Sequence, residues 1–124
     1  MIIKFSDRQK IAKMLGLPCR LESQDWELEF ADPKRIEEFL FIAENTTRMS
    51  IEMLRVLLLL ILCSYNDYLV DSMRDNDIEV RLETLISCDI PFIEYLHEYW
   101  DVNGKDDDVF KVRNFIIGIN SKLG

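Results

Sequence analysis

A chain of 124 residues that is 48% apolar and 10% aromatic has the material for one buried core, which argues against a disordered chain. Four Gly and three Pro leave too few turn residues for a sandwich or barrel of many short strands. The net charge of −8 is unevenly laid out: residues 1–20 carry +4, 21–66 carry −5, 67–108 carry −10 and 109–124 carry +3. An acidic middle between basic ends disfavours direct nucleic-acid binding, because neutralising phosphates needs a basic face.

Met1 to Phe5 is short, apolar and β-prone. Ser6 followed by Gln9 has the spacing of a capping box, and Ile11, Ala12, Met14 and Leu15 then give a helical face that Gly16 and Pro18 terminate. In residues 19–31, Trp26, Leu28 and Phe30 alternate with Glu27 and Glu29, the period of a half-buried strand, which would pair with Ile2 to Phe5. An extended loop with anchoring aromatics is the other reading of this stretch. Asp32-Pro33 is a helix start, with Asp as the cap and Pro at the first helical position. Ile36, Phe39, Leu40 and Ala43 follow at helical spacing, and the helix should end near Asn45.

A new helix starts at Thr46, Thr47 or Ser50 and meets no breaker before Met73. Its middle is apolar on all sides, so other helices should surround it, with Leu57, Leu58, Leu60 and Ile61 buried. The longest uninterrupted apolar run, Val56 to Cys63, is eight residues, against about 20 for a membrane span, so a core helix rather than a membrane segment is expected. Asn76 and Glu79 suit a capping box for a helix burying Ile78, Leu82, Leu85 and Ile86. Asp89 and Pro91 start another, with Phe92, Ile93, Leu96 and Trp100 inward. Asn103-Gly104 reads as a turn. Asp106, Asp107 and Asp108 then sit where a helix N-terminal dipole favours anions, ahead of an apolar face of Val109, Phe110, Val112, Phe115, Ile116 and Ile119. The expected fold is all-α, one domain over residues 1–124, a compact irregular bundle of about six helices around the long one. The alternative is α+β with a small two-stranded element.

The chemistry-bearing patterns are sparse. Cys19, Cys63 and Cys88 are odd in number and widely spaced, so free thiols in a reducing, cytoplasmic protein are expected. The start MIIKFSDRQK, with charges at Lys4, Asp7 and Arg8, has no apolar core of signal-peptide length. Glu94-x-x-His97 has the spacing that occurs twice in di-iron carboxylate bundles, but one copy and one His cannot build that site. Asp101-x-Asn103 fails as a calcium loop at its sixth and twelfth positions, Asp106 and Val112, and Asp75-x-Asp77-x-Glu79 fails at Val80. Zinc lacks clustered ligands. No GxSxG, P-loop or GxGxxG motif occurs, so neither an enzyme nor a cofactor is expected.

Two features bear on function. Acids and aromatics interleave at Glu94, Tyr95, Glu98, Tyr99, Trp100 and Asp101, followed by Asp106 to Asp108. Rigid aromatic contact area within a field of carboxylates suits docking of a basic protein. Glu94, Glu98, Tyr99, Asp101, Asp106, Asp107 and Asp108 are therefore the candidate partner-binding residues, and a solvated acidic face is the alternative account of them. The class this suggests is an inhibitor that masks a basic partner, such as an immunity protein or antitoxin neutralising a nuclease toxin. The second feature is the row Glu52, Arg55, Leu59, Leu62 and Asn66, which would serve a homodimeric structural or regulatory subunit if its leucines were exposed; burial by neighbouring helices is the favoured reading.

Overall fold

The computed structural model describes residues 1–20, 25–100 and 111–123, with side chains to Ile119 in the last segment. The fold is all-α. The described residues form seven α-helices and one short 3-10 turn, and the chain divides into two compact units, Ile2–Asp67 and Tyr68–Gly124, the latter taking in Met1.

In the first unit, α1 spans Phe5–Leu15. It begins one residue before the expected cap: Lys4 is the N-cap and makes no side-chain capping bond. The Lys4 carbonyl instead accepts from the amides of Asp7 and Arg8, both at 3.2 Å. Asp7 in the first turn supplies the negative charge that favours this end of a helix dipole. Gly16, at φ 69°, turns the chain left-handed; its amide bonds Lys13 O while that of Leu17 bonds Ala12 O at 2.8 Å, the paired closure of a Schellman motif. Ile11, Ala12 and Leu15 face the core, whereas Met14 is 43% exposed, contrary to expectation.

No strand occurs among the described residues, so the two-stranded element is not formed. Trp26–Glu29 is one turn of helix, α2. Alternation would have placed Trp26, Leu28 and Phe30 on one buried face. Instead Trp26 is wholly buried, Leu28 is 48% exposed and Phe30 is half-buried. Helical spacing wins because it lets Trp26 meet Phe30 at 6.0 Å and lets the buried carboxylate of Glu27 receive Arg8 at 3.2 Å. The Trp26 indole donates to Pro18 O at 2.8 Å, which satisfies the polar end of a buried ring.

Asp32 caps as expected, accepting from the Lys34 amide with Pro33 at the first position, but the opening turn, Pro33–Arg35, is 3-10 and leads into α3, Ile36–Asn45. Arg35 carries three contacts across this junction. It donates to Leu15 O, an end carbonyl of α1, at 3.1 Å, pairs with Glu38, and lies 4.9 Å from the centre of the Phe39 ring. Helix α4, Ile51–Asp71, starts where the Ser50 hydroxyl accepts from the Met53 amide. Its residues Val56 to Tyr65 are all buried, so protein covers every side of nearly three turns. By length and composition alone α4 is apolar enough to cross a membrane, and a core helix passes the same test. Ser64 reconciles its hydroxyl with full burial by donating to Leu60 O at 2.8 Å and accepting from the Asp32 amide at 2.9 Å, which pins the start of the α3 segment to α4.

The second unit holds α5 (Asn76–Ile86), α6 (Ile90–Tyr99) and α7 (Arg113–Leu123). The α5 cap is Asp75, accepting from Ile78 N at 3.1 Å, one residue earlier than the expected Asn76. Glu79, assigned to that capping box, is drawn off by Arg74 at 2.9 Å. Ile78, Leu82 and Ile86 are buried and Leu85 half-buried. Asp89 caps α6 as expected, and α6 packs on α7. Helix α7 begins at Arg113, and Asp106 to Asp108, Asn103-Gly104, Val109 and Phe110 lie outside the described residues. The buried Arg113 guanidinium donates from Nε to Trp100 O at 2.9 Å, joining the end of α6 to the start of α7.

Candidate functional site: an acidic aromatic face on helix α6

Helix α6 separates its residues into two sides. Phe92, Ile93, Leu96 and the following Trp100 are buried. Pro91, Glu94, Tyr95 and Glu98, at offsets of three, four and seven, line up on the other side. With Met1 they enclose a shallow recess of about 120 Å³. Glu94 and Glu98 are exposed on its rim, one turn apart, and neither has a salt bridge among the described residues.

The aromatic residues form a chain behind this rim. Phe92 and Tyr95 stack at 6.4 Å, Tyr95 meets Tyr99 at 5.9 Å, and Tyr99 tilts against Trp100 at 4.5 Å. Tyr95 and Tyr99 are half-buried. Two exposed carboxylates one turn apart have the chemistry to hold a cation: an ammonium or guanidinium between them would gain charge-assisted hydrogen bonds from Glu94 and Glu98.

Of the candidate residues, the structure thus brings Glu94 and Glu98 together around Tyr95. Tyr99 adjoins them through the Tyr95 ring rather than lining the recess. Asp101, Asp106, Asp107 and Asp108 lie outside the described residues. Half-buried His97 lies on the same helix; its Nε2 and the Trp100 Nε1 are buried without a hydrogen-bond partner among the described residues. No group of three or more His, Cys, Asp or Glu side chains gathers as metal ligands among the described residues. Cys63 is buried, Cys19 half-buried and Cys88 exposed, all as thiols, and burial pushes the Cys19 thiol up despite the nearby charge of Arg8.

The other candidate surface is not a surface. Leu59 and Leu62, the apolar centre of the Glu52–Asn66 row, are both fully buried.

Sequence reasoning missed a second charged feature. Ser6, Gln9, Lys10 and Lys13 form one row of α1, again at offsets of three, four and seven, and with Ala12, Leu17 and Cys19 they line an open groove of about 550 Å³. The spacing and the +4 charge of residues 1–20 were both legible; the groove's other wall depends on the turn at Gly16 folding Leu17 and Cys19 back beside the helix. No protein-family model, curated protein or solved structure matches the chain.

Proposed function

We propose that the protein is a non-catalytic, cytoplasmic binding protein whose α6 face receives a basic protein partner, and that it inhibits that partner by occupying its cationic surface. A nuclease toxin neutralised by an immunity protein or antitoxin is the concrete form of this reading, since a nuclease must present cations to phosphates and an acidic inhibitor competes for them. It needs no cofactor or metal, and neither a membrane nor nucleic acid is among its partners.

The observation that carries the reading is the recess bounded by Glu94, Tyr95 and Glu98, in which two exposed carboxylates without salt bridges flank a ring held from behind by Phe92 and Tyr99. Exposed acids alone would suit solubility. Their placement beside a half-buried aromatic ring packed against Phe92 and Tyr99 adds the contact area that an interface requires. The −10 charge of residues 67–108 would steer a basic partner toward this face.

The experiment is capture of a partner with the purified protein, followed by association and dissociation kinetics on Glu94→Gln/Glu98→Gln and on Tyr95→Ala. Neutralising the acids should lower the association rate and flatten its salt dependence. Removing the ring should mainly accelerate dissociation. Unchanged association kinetics in the double Gln variant would reject the α6 face as the docking site.

A further inference from the structure

The α1 groove has an occupant of the right chemistry in the protein's own sequence. Lys10 and Lys13 line it, and among the described residues no acidic side chain lines it and neither lysine has a salt bridge. Its lining is otherwise neutral or apolar: Ser6, Gln9, Ala12, Leu17 and Cys19. Asp7, the acid on this helix, is buried, and Glu27 is engaged by Arg8. Among the described residues, neither Lys10 nor Lys13 therefore has an acidic partner. The α6 face is the inverse of this groove, with two carboxylates on a row that also ends seven residues from where it begins, so both rows are about 10 Å long at the helical rise of about 1.5 Å per residue.

We propose that the α1 groove of one copy binds the Glu94–Glu98 face of a second copy, with Lys10 and Lys13 set against Glu94 and Glu98. Such a contact joins two different surfaces, so it is heterologous and either closes into a ring or propagates. It uses the acidic face assigned above to a basic partner, and the partner and the second copy then compete for that face.

Net charge opposes the contact at long range and local charge favours it at short range, and the Debye length decides between them. At about 0.1 M salt it is about 10 Å, so the −8 charges on two copies are largely screened from one another while ion pairs in contact are not. At about 1 M it falls to about 3 Å and the pairs weaken too. Association should therefore be present at moderate salt and absent at high salt.

Sedimentation velocity over a wide concentration range tests this with three variants: Lys10→Glu/Lys13→Glu, Glu94→Lys/Glu98→Lys, and the fourfold swap carrying all four changes. The expected result is concentration-dependent association of the natural chain at about 0.1 M salt, its loss at about 1 M, its loss in each double variant, and its return in the fourfold swap. Circular dichroism checks that each variant is helical. A natural chain that stays monomeric throughout, a Lys10→Glu/Lys13→Glu variant that associates as before, or a fourfold swap that stays monomeric while folded overturns the proposal. Partner capture by folded Lys10→Glu/Lys13→Glu separates the two readings: that variant should lose self-association and keep the partner, whereas loss of the partner in Glu94→Gln/Glu98→Gln bears on the α6 reading alone.

Discussion

Individual polar side chains inside this protein are explained by what they satisfy. Ser64 is fully buried yet holds both a carbonyl and an amide, so Ser64→Ala leaves the Asp32 N–H without its acceptor. The expected loss is about 1–3 kcal/mol, read as a lower urea midpoint with an unchanged slope. Glu27 is the more exacting case, at 1% exposure with Arg8 at 14%. Glu27→Ala removes the carboxylate and strands a cation that only partly reaches water, so the loss should fall toward the low end of about 3–5 kcal/mol by the same measurement. The thiols should differ in reactivity as they differ in burial. Alkylation of the native protein should label Cys88 first, then Cys19, where burial raises the pKa and thins the thiolate population, and Cys63 last. Titration of the unfolded, unreduced protein should find three groups, and a count of one would indicate a disulfide. None of the tertiary partners was legible from sequence: Ser64 sits 32 residues from the amide it accepts and Arg8 sits 19 residues from Glu27.

At the scale of elements, long periodic segments were readable and short ones were not. The α3 core residues Ile36, Phe39, Leu40 and Ala43, the α3 end at Asn45 and the caps at Ser50 and Asp89 follow from apolar spacing and side-chain capping, which are local in sequence. Four residues, as in α2, are too few for periodicity to tell two from 3.6, and an ion pair with α1 decided the outcome. The cap at Lys4 fell two residues before the expected Ser6 and the cap at Asp75 one residue before the expected Asn76, because backbone bonding replaced the Ser6 hydroxyl and Arg74 claimed Glu79. On the α6 face, helical spacing groups Tyr95, Glu98 and Tyr99 with Glu94 adjoining, and of these Glu94, Tyr95 and Glu98 line the recess while Tyr99 does not. The recess was not legible, since its lining includes Met1, which is 90 residues from Pro91 in sequence. Helix α4 carries the strongest expectation at this scale. Leu57, Leu58, Leu60 and Ile61 are all buried, and Leu60→Ala should cost about 2–5 kcal/mol from lost burial plus the cavity it leaves. A thermal or urea transition unchanged by this substitution would mean that the helix does not anchor the core.

For the whole molecule, the proposed function divides between two ranges. The −10 charge of residues 67–108, to which Glu94 and Glu98 contribute, would act over a Debye length and set how fast a cationic protein arrives. The Tyr95 ring between the two acids would act at contact distance and set how long it stays. The most direct measurement of this division of labour is the association rate of a captured basic partner as a function of salt, for the natural chain and for Glu94→Gln/Glu98→Gln. The natural chain should associate fast at low salt and slow steeply as salt rises, and the double variant should start slower and respond less. Superimposable salt dependences for the two proteins would contradict the account, since the partner would then be steered to some other surface.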